Sequence, residues 1–338
     1  MNKGKLFLRL LFAGVILLSL SIPAFSAEKF TARYTDQHPP KHFLAQMAYK
    51  LSDAVDKRSG GRLKINVFPT SQLYQDREVI EAVRSGSVEF GNVNIGQWAG
   101  VFPIMHLIEY MPFEIDTALA YKMADGKVGE IWKEKMLKIG IMPLMWVPTA
   151  LHDGVTNNKR EIKVPDDFKG LMIRVPHPSI EYRVKAFGGV PVSIPASEMF
   201  SALQYGTVDG VWTALVSVQT RKLFEIQKYL TIFEMGPNFH PSIMNAKFFQ
   251  KLPKDLQDIV MTSAQEIQKW GRQQVEKDER DATEKLQKAM KVYLQTPEGI
   301  KLFRDKLKSQ TQDFIKHTGA EGENLVQVVY QMKKEMGK

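Results

Sequence analysis

Glu78-Val-Ile-Glu-Ala-Val-Arg-Ser-Gly-Ser-Val-Glu89 recurs 120 residues later as Glu198-Met-Phe-Ser-Ala-Leu-Gln-Tyr-Gly-Thr-Val-Asp209, and this repeat is the strongest indication of the fold. Each copy predicts a short amphipathic helix packed through its alanine, a left-handed glycine at the helix end, and a strand that starts at the valine. We interpret the pair as two similarly built α/β lobes. The alternative is chance similarity between two ordinary helix–glycine–strand units. A cleft between two such lobes is a common place for a small ligand.

Strand and helix patterns alternate along the chain around both copies. Phe30–Thr35 and Leu63–Phe68 alternate apolar and polar residues as strands do, and helical spacing of apolar residues lies between and after them. This order predicts α/β domains with a largely parallel sheet. In the second half, Leu171–Val175 and Val208–Trp212 are predicted strands, whereas Leu151–Arg160 is polar and rich in turn formers.

A long amphipathic helix is predicted near the C-terminus. No proline occurs from Lys254 to about Tyr293, and apolar residues recur at helical spacing, although Gly271 could bend the helix. About forty residues at roughly 1.5 Å each would reach about 60 Å, which exceeds one lobe. The helix is therefore expected either to span both lobes or to break.

The first 26 residues have the pattern of a secretory signal peptide. Lys3, Lys5 and Arg9 precede the apolar run Leu10–Leu20, and small residues follow around Ala24. The run is shorter than the roughly 20 residues that span a bilayer, so cleavage is preferred over an uncleaved anchor. Cleavage after Ser26 would remove three positive charges and change the net charge from +9 to 9 − 3 = +6. An exported, periplasmic protein is expected.

Composition and motifs exclude several kinds of chemistry. The absence of cysteine rules out disulfides, thiol nucleophiles and Cys-ligated metals. The histidines form no zinc pattern, and there is no Walker loop, GxGxxG or GxSxG motif, so no catalytic residue, metal or cofactor is predicted. Basic residues are interleaved with acids, so no nucleic-acid partner is expected.

Arg174 is the most informative single residue. It lies inside the apolar strand Leu171-Met-Ile-Arg-Val-Pro176, and a buried arginine needs an anionic partner, which a carboxylate supplies through two parallel hydrogen bonds. The alternatives are an exposed arginine or an internal ion pair. Trp98 and Trp212 lie at or just after the ends of predicted strands, where ligand loops often lie, so both are candidates for the wall of a cleft.

Ordered motifs in both lobes resemble the solute-binding subunit of TRAP (tripartite ATP-independent periplasmic) transporters, the DctP type. The motifs are Ser59-Gly-Gly-Arg-Leu-Lys-Ile-Asn-Val-Phe-Pro-Thr-Ser-Gln-Leu73, Val83-Arg-Ser-Gly-Ser-Val88, Phe168-Lys-Gly-Leu-Met-Ile-Arg-Val-Pro176, Phe187-Gly-Gly-Val-Pro-Val192, the second copy of the repeat through Gly210, and Phe224-Glu-Ile-Gln-Lys-Tyr-Leu230. The resemblance implies a two-lobed periplasmic binding protein of the Venus-flytrap kind, with a long helix spanning both lobes. Its expected segments are the signal peptide 1–26, a first α/β lobe 27–145, a second α/β lobe 146–235, and 236–338 with the spanning helix and C-terminal helices packing on both lobes.

The resemblance also implies a function and a ligand. Such proteins close on an organic acid and deliver it to the small and large membrane subunits of a TRAP permease. The strand arginine of the family motif, Arg174, is expected to bind the ligand carboxylate, and Arg160 is expected to help, with its neighbour Lys159 as a substitute. The first-lobe position that often contacts ligand in this family falls near Asn94. Gln37 or His38, in the loop after the first strand, is a further candidate for the site.

The sequence departs from the family at two expected site positions. Trp212 and Thr213 stand where many relatives have polar Glu and Asn. This departure argues against sugar acids such as sialic acid and favours a hydrophobic or aromatic carboxylate, or a small keto- or hydroxy-acid. Two other functions remain open from the sequence: a periplasmic hydrolase or lyase on a two-lobed scaffold, and a sensor accessory that presents its ligand to a receptor.

Overall fold

A computed structural model describes residues 28–338 of the chain. The predicted signal peptide, residues 1–26, lies outside the described residues. Among the helices within 28–338, none combines the length and the apolar character needed to cross a membrane.

The first lobe is built on one mixed sheet. Its strands are β1 Phe30–Thr35, β2 Leu63–Phe68, β3 Phe90–Asn92, β4 Ile141–Met145 and, from much later in the chain, β12 Ser242–Asn245. They lie in the order β2-β1-β3-β12-β4, with β12 antiparallel to both neighbours. The helices of this part are α1 Phe43–Ser59, α2 Asp76–Ser85, α3 Leu107–Tyr110, α4 Thr117–Asp125, α5 Lys127–Lys138 and α9 Ala246–Lys251.

The second lobe is built on another mixed sheet. Its strands are β6 Asp153–Asn157, β7 Met172–Val175, β8 Val190–Ser193, β9 Gly210–Ala214, β10 Tyr229–Phe233 and β13 Lys291–Leu294, in the order β13-β10-β6-β9-β7-β8. Its helices are α6 Pro178–Ala186, α7 Met199–Gln204, α8 Leu215–Thr220 and α11 Pro297–Leu307. In each sheet one strand, β12 or β6, runs antiparallel to both of its neighbours, and all the other strands run in the same direction. The prediction of largely parallel sheets is therefore confirmed, with one antiparallel strand in each sheet.

A small antiparallel ribbon connects the two lobes. It pairs β5 Pro148–Ala150, between β4 and β6, with β11 Asn238–Phe239, between β10 and β12. The chain passes from the first lobe to the second through β5 and returns through β11, so these two crossings lie side by side. We call these two strands the hinge ribbon.

The predicted long helix is α10, Lys254–Ala289, and it packs on α1 of the first lobe and α8 of the second. Its 36 residues correspond to about 54 Å at roughly 1.5 Å per residue. It continues through Gly271 without a break. A Cβ at Gly271 would lie 2.6 Å from Met47 Sδ of α1, so the glycine permits close packing of the two helices. The last helix, α12 Gln310–Glu335, returns to pack on α3 and α4.

The internal repeat has the predicted local structure in both lobes. Gly86 and Gly206 follow α2 and α7 in the left-handed conformation, with φ of +81° and +70°, which confirms the sequence prediction. Each following strand begins two residues later than predicted, at Phe90 and at Gly210, rather than at the valine.

Gly210 provides a test of the second sheet. A Cβ at this position would lie 1.8 Å from the carbonyl oxygen of Thr156 in the neighbouring strand β6. Gly210→Ala is expected to lower the free energy of unfolding by about 3 kcal/mol, as overpacking of a close-packed interior does. Urea unfolding measures this change. Gly100→Ala is the control, because a Cβ at Gly100 meets no atom within 4 Å. Equal unfolding midpoints for the two variants would contradict the described pairing of β6 with β9.

Candidate ligand-binding site

A cavity of about 300 Å³ lies between the two lobes. Its first-lobe wall includes Gln37, His38, Asp76, Asn94 and Gln97. Its second-lobe wall includes Arg174, Ile194, Trp212, Thr213 and Arg221. Thr149 and Asn238 of the hinge ribbon, and His240 just after it, also line the cavity. The fold thus brings together six of the eight residues proposed from the sequence.

Arg174 lies in β7 at the cavity wall and is only 3% exposed. Its Nε donates to the carbonyl of Ile194 at 2.7 Å, and one terminal nitrogen lies 3.4 Å from the carbonyl of Trp212. Among residues 28–338, no Asp or Glu makes an ion pair with it. Burial lowers the pKa of Arg174 to about 9, and nearby Arg221 acts in the same direction. The cavity therefore holds a desolvated cation oriented by neutral carbonyls, which an anion complements.

Arg221 is a second guanidinium in the cavity wall, and the sequence interpretation missed it. It follows α8 in the second lobe and donates to the carbonyl of Gln37 in the first lobe at 2.9 Å. Its Nε is buried and has no hydrogen-bond partner among the described residues. Burial lowers its pKa to about 10, although the nearby Asp36 opposes this shift. The one available sequence signal is its place three residues after the largely apolar segment Leu215–Val218.

Gln37 and His38 are held in the first-lobe wall by buried neighbours. His38 Nδ1 lies 2.9 Å from Oδ1 of Asp36, which is fully buried. Gln37 Nε2 donates to His240 Nε2 at 2.7 Å, so His240 Nδ1 carries the proton and donates to the hydroxyl of Thr149. Burial holds the pKa of His38 well below its usual range, with His240 as the next cause. The imidazole of His38 is therefore neutral at ordinary pH.

Asn94 is fixed by hydrogen bonds from both sides. Its backbone N–H donates to Asp76 Oδ1 at 3.1 Å, and its side chain donates to Asn238 Oδ1 at 2.8 Å. Asn94 Oδ1 accepts from the N–H of Gly96 at 2.7 Å. The amide is thus preorganised at the edge of the cavity.

Trp212 and Thr213 belong to β9, and both are site candidates from the sequence. Both line the cavity. Trp212 is 1% exposed, because its indole stacks on Phe233 at 5.5 Å and on Phe187 at 6.3 Å. It stiffens the wall and offers little apolar area to a ligand. Thr213 is less buried than Trp212 and adds a hydroxyl to the wall.

Arg160 is not in the cavity, which corrects the sequence prediction. It is exposed, and its guanidinium donates to the carbonyls of Asp167, at 2.9 Å from Nε, and of Lys169. These carbonyls belong to the turn before β7 and hold the arginine away from the cleft. Lys159 is also exposed, and its Nζ lies 3.6 Å from Asp209 Oδ1.

Trp98 is also outside the cavity, contrary to prediction. It is 0% exposed in the first-lobe core, where its ring stacks on Phe102 at 6.5 Å. The cause is the 3₁₀ turn Ile95–Gly100 that follows β3, because this turn directs the indole inward. Within 28–338, no group of three His, Cys, Asp or Glu side chains is arranged to hold a metal ion.

His106 gives a prediction about pH and stability. Its Nε2 donates to the carbonyl of Gly96 at 2.6 Å, and burial lowers its pKa to about 4. In the unfolded chain the pKa is about 6.5, so the unfolded state binds the extra proton and stability falls as the pH drops through this window. The variant His106→Gln keeps a donor for the Gly96 carbonyl but has no imidazole to protonate. Its free energy of unfolding is therefore expected to fall less steeply than that of the wild type between about pH 7.5 and 4.5, with a difference in slope of up to about 1.4 kcal/mol per pH unit.

The control for this pH experiment is the exposed His317→Gln variant. Thermal melts give the melting temperature of the wild type and both variants at each pH. If the melting temperatures of the wild type and of His106→Gln fall in parallel as the pH drops, the assignment of a depressed pKa to His106 is contradicted.

An interlobe cavity beside a hinge ribbon, with a buried guanidinium in its wall that has no acidic partner within residues 28–338, defines a two-lobed ligand-binding protein. The family model DctP, described as bacterial extracellular solute-binding protein, family 7, matches residues 34–317. The chain therefore belongs to this family. It is an extracytoplasmic solute-binding protein of the TRAP type and not an enzyme.

Similar proteins cover nearly the whole chain. The 2,3-diketo-L-gulonate-binding periplasmic protein YiaO of Escherichia coli K12 is 30% identical over 322 residues, covering 95% of this chain and 96% of that protein. A TRAP periplasmic solute-binding protein from Sulfurospirillum deleyianum, solved with bound succinate, is 29% identical with a TM-score of 0.83, covering 89% and 99%. The sugar acid binding protein DctPAm from Advenella mimigardefordensis, solved with galactonate, is 25% identical with a TM-score of 0.85, covering 91% and 99%.

These similarities confirm the resemblance found in the sequence and the two-lobed α/β fold with its long helix. The hydrolase or lyase and the sensor accessory, left open by the sequence, find no support in them.

Proposed function

We propose that this protein captures an organic acid in the interlobe cavity and that Arg174 binds the carboxylate. The observation that carries this proposal is the burial of Arg174 without an acidic partner in the described chain. Leaving a buried charge unpaired costs several kcal/mol, and a carboxylate removes that cost through charge-assisted hydrogen bonds. Because the second-lobe Arg221 contacts the first lobe through Gln37, it supplies additional positive charge at the closed cleft.

The chemistry of the remaining wall favours a small keto- or hydroxy-acid over an aromatic carboxylate. Thr149, Thr213 and Asn94 present hydroxyl and amide groups to the cavity. Trp212, the aromatic residue on which a hydrophobic ligand was predicted to pack, is almost fully covered by its own neighbours. The cavity volume of about 300 Å³ is at the small end of the usual range, roughly 300–1,000 Å³. The similar proteins named for 2,3-diketo-L-gulonate and solved with galactonate are consistent with this class, whereas the one solved with succinate holds a dicarboxylate without a keto or hydroxyl group.

The proposed setting is the periplasm, and the proposed partners are the small and large membrane subunits of a TRAP permease. The export signal predicted in residues 1–26 supports the location, and the family membership supports both the location and the partners. The closed protein would carry the acid to the permease and release it on opening. No nucleic acid, metal or cofactor enters this proposal.

The experiment is a thermal-shift screen of the mature protein, freed of bound small molecules, against 2,3-diketo-L-gulonate, galactonate, succinate and other keto-, hydroxy- and dicarboxylic acids. A ligand that binds only the folded state stabilises it by about 2.7 kcal/mol at a hundred times its Kd, so at least one acid should raise the melting temperature. Mass spectrometry should recover that acid unchanged after incubation. If no acid shifts the melting temperature, the proposal fails.

A further inference from the structure

A buried ion triad crosses the cleft outside the cavity's anion site. Arg183 of α6 in the second lobe lies 3.2 Å from Glu109 Oε2 of α3 in the first lobe. Arg183 also lies 3.5 Å from Asp153 Oδ2, at the start of β6. The side chains of Arg183, Glu109 and Asp153 are 2%, 3% and 10% exposed. We call these three residues the interlobe ion triad.

Arg183 is the cation that two carboxylates share. It also donates to the backbone carbonyl of Glu109 at 2.6 Å, so it holds both the side chain and the main chain of that residue. Burial raises the pKa of Glu109 to about 7, and Arg183 opposes this shift while Asp153 adds to it. Without Arg183, the closed protein would contain two buried carboxylates near each other with no cation between them.

Both carboxylates are connected to the cavity wall. Asp153 lines the cavity directly. Glu109 Oε1 accepts a hydrogen bond of 2.6 Å from Asn238 of the hinge ribbon, and Asn238 in turn accepts one of 2.8 Å from Asn94. Asn238 and Asn94 both line the cavity. Arg183 itself does not, so a change there removes no side chain from the wall.

We propose that Arg183 is a positioning residue for ligand capture: through Glu109 and Asp153 it fixes the closed arrangement of both lobes and of the Asn238–Asn94 pair. The inference rests on the proposed function, since it assigns a role within the same capture event. The physical basis is that removal of one member of a buried ion group leaves an uncompensated buried charge. Arg183 and Asp153 both belong to the second lobe, and Glu109 alone approaches from the first, so opening of the cleft exposes the Arg183–Glu109 pair to water. The penalty for losing that pair therefore falls on the closed, liganded state.

The experiment is a double-mutant cycle on ligand affinity with Arg183→Met, Glu109→Gln and the double variant. Calorimetry with 2,3-diketo-L-gulonate, galactonate and succinate gives Kd, stopped-flow gives the dissociation rate, and small-angle scattering gives the radius of gyration of the complex. Arg183→Met is expected to weaken Kd at least tenfold, mainly by faster dissociation. The double variant should lose less affinity than the product of the two single-variant fold losses, because Glu109→Gln leaves one fewer uncompensated carboxylate. Arg183→Lys should recover part of the affinity that Arg183→Met loses.

Glu89→Gln is the matched control, because Glu89 pairs with Arg33 at 3.0 Å within the first lobe. It should leave Kd unchanged. A purely structural role for Arg183 would lower the melting temperature of the ligand-free protein without changing the dissociation rate or the radius of gyration of the complex, and this result would overturn the inference. If the wild type binds none of the acids, the proposed function fails first and the inference falls with it. If the wild type binds and Arg183→Met binds equally well, only the inference fails.

Discussion

Arg174→Met is expected to weaken the binding of any organic acid that the wild type binds by about a hundredfold, since loss of one partner of a buried charge pair costs on the order of 3 kcal/mol. Arg174→Lys is expected to restore little of this affinity. Arginine offers a planar fork of donors that matches both oxygens of a carboxylate, whereas lysine offers one point charge. Isothermal titration calorimetry measures the Kd of both variants.

The ligand-free stability of the Arg174 variants separates lost binding from misfolding. Because Arg174 is buried without an acidic partner in residues 28–338, Arg174→Met removes an unpaired charge. The melting temperature of the ligand-free protein is therefore expected to stay the same or rise. Arg160→Ala is the control, because the structure places Arg160 at the surface, and it should bind like the wild type. Wild-type affinity in Arg174→Met would refute the proposed capture mechanism.

Gly96→Ala is expected to weaken ligand binding by at least tenfold by obstructing closure of the lobes. Gly96 belongs to the first-lobe turn after β3, and a Cβ there would lie 2.2–2.4 Å from ring atoms of His177 in the second lobe. His177 is 1% exposed, and its Nδ1 lies 2.7 Å from the hydroxyl of Ser179, so the ring has little room to move. Calorimetry and small-angle scattering of the liganded variant measure the effect.

Two further variants make the Gly96 prediction specific. Gly100→Ala lies in the same turn and adds a Cβ that meets no atom within 4 Å, so it should not change Kd. Gly96→Ala combined with His177→Ala should bind better than the product of the two single effects predicts, since the smaller side chain makes room for the added methyl group. Unchanged affinity in Gly96→Ala would show that the lobes do not need this close approach.

Local patterns predicted much of the fold correctly. The bounds of β1 and β2 match the sequence prediction residue for residue, and α10 begins at Lys254 as predicted. These elements have clear apolar periodicity and definite end signals, so nearby residues are sufficient to specify them. The strand β6 was missed. Asp153, Thr156 and Asn157 look like turn residues in sequence, but β6 lies between β9 and β10 and is fully covered there.

Placement of the site residues was harder to predict than the elements that carry them. Arg174 follows from an arginine inside an apolar strand, and the structure buries it as that pattern indicates. Arg160 ends a polar, turn-rich stretch and Arg221 follows an apolar one, but neither pattern tells which arginine enters the cleft. The first is held outside by turn carbonyls and the second reaches the cleft. The interlobe ion triad joins residues up to 74 positions apart, and no local pattern relates them.

The family, the pair of lobe-building repeats, the long helix and the arginine in β7 follow from local sequence, because each is a property of a contiguous stretch with its own periodicity or motif. The assignment of strands to sheets, the second arginine in the cavity and the charges that meet across the cleft are visible in the folded protein alone. Those outcomes depend on packing between segments that are far apart in the chain, where the free energy comes from burial and pairing and not from local preference.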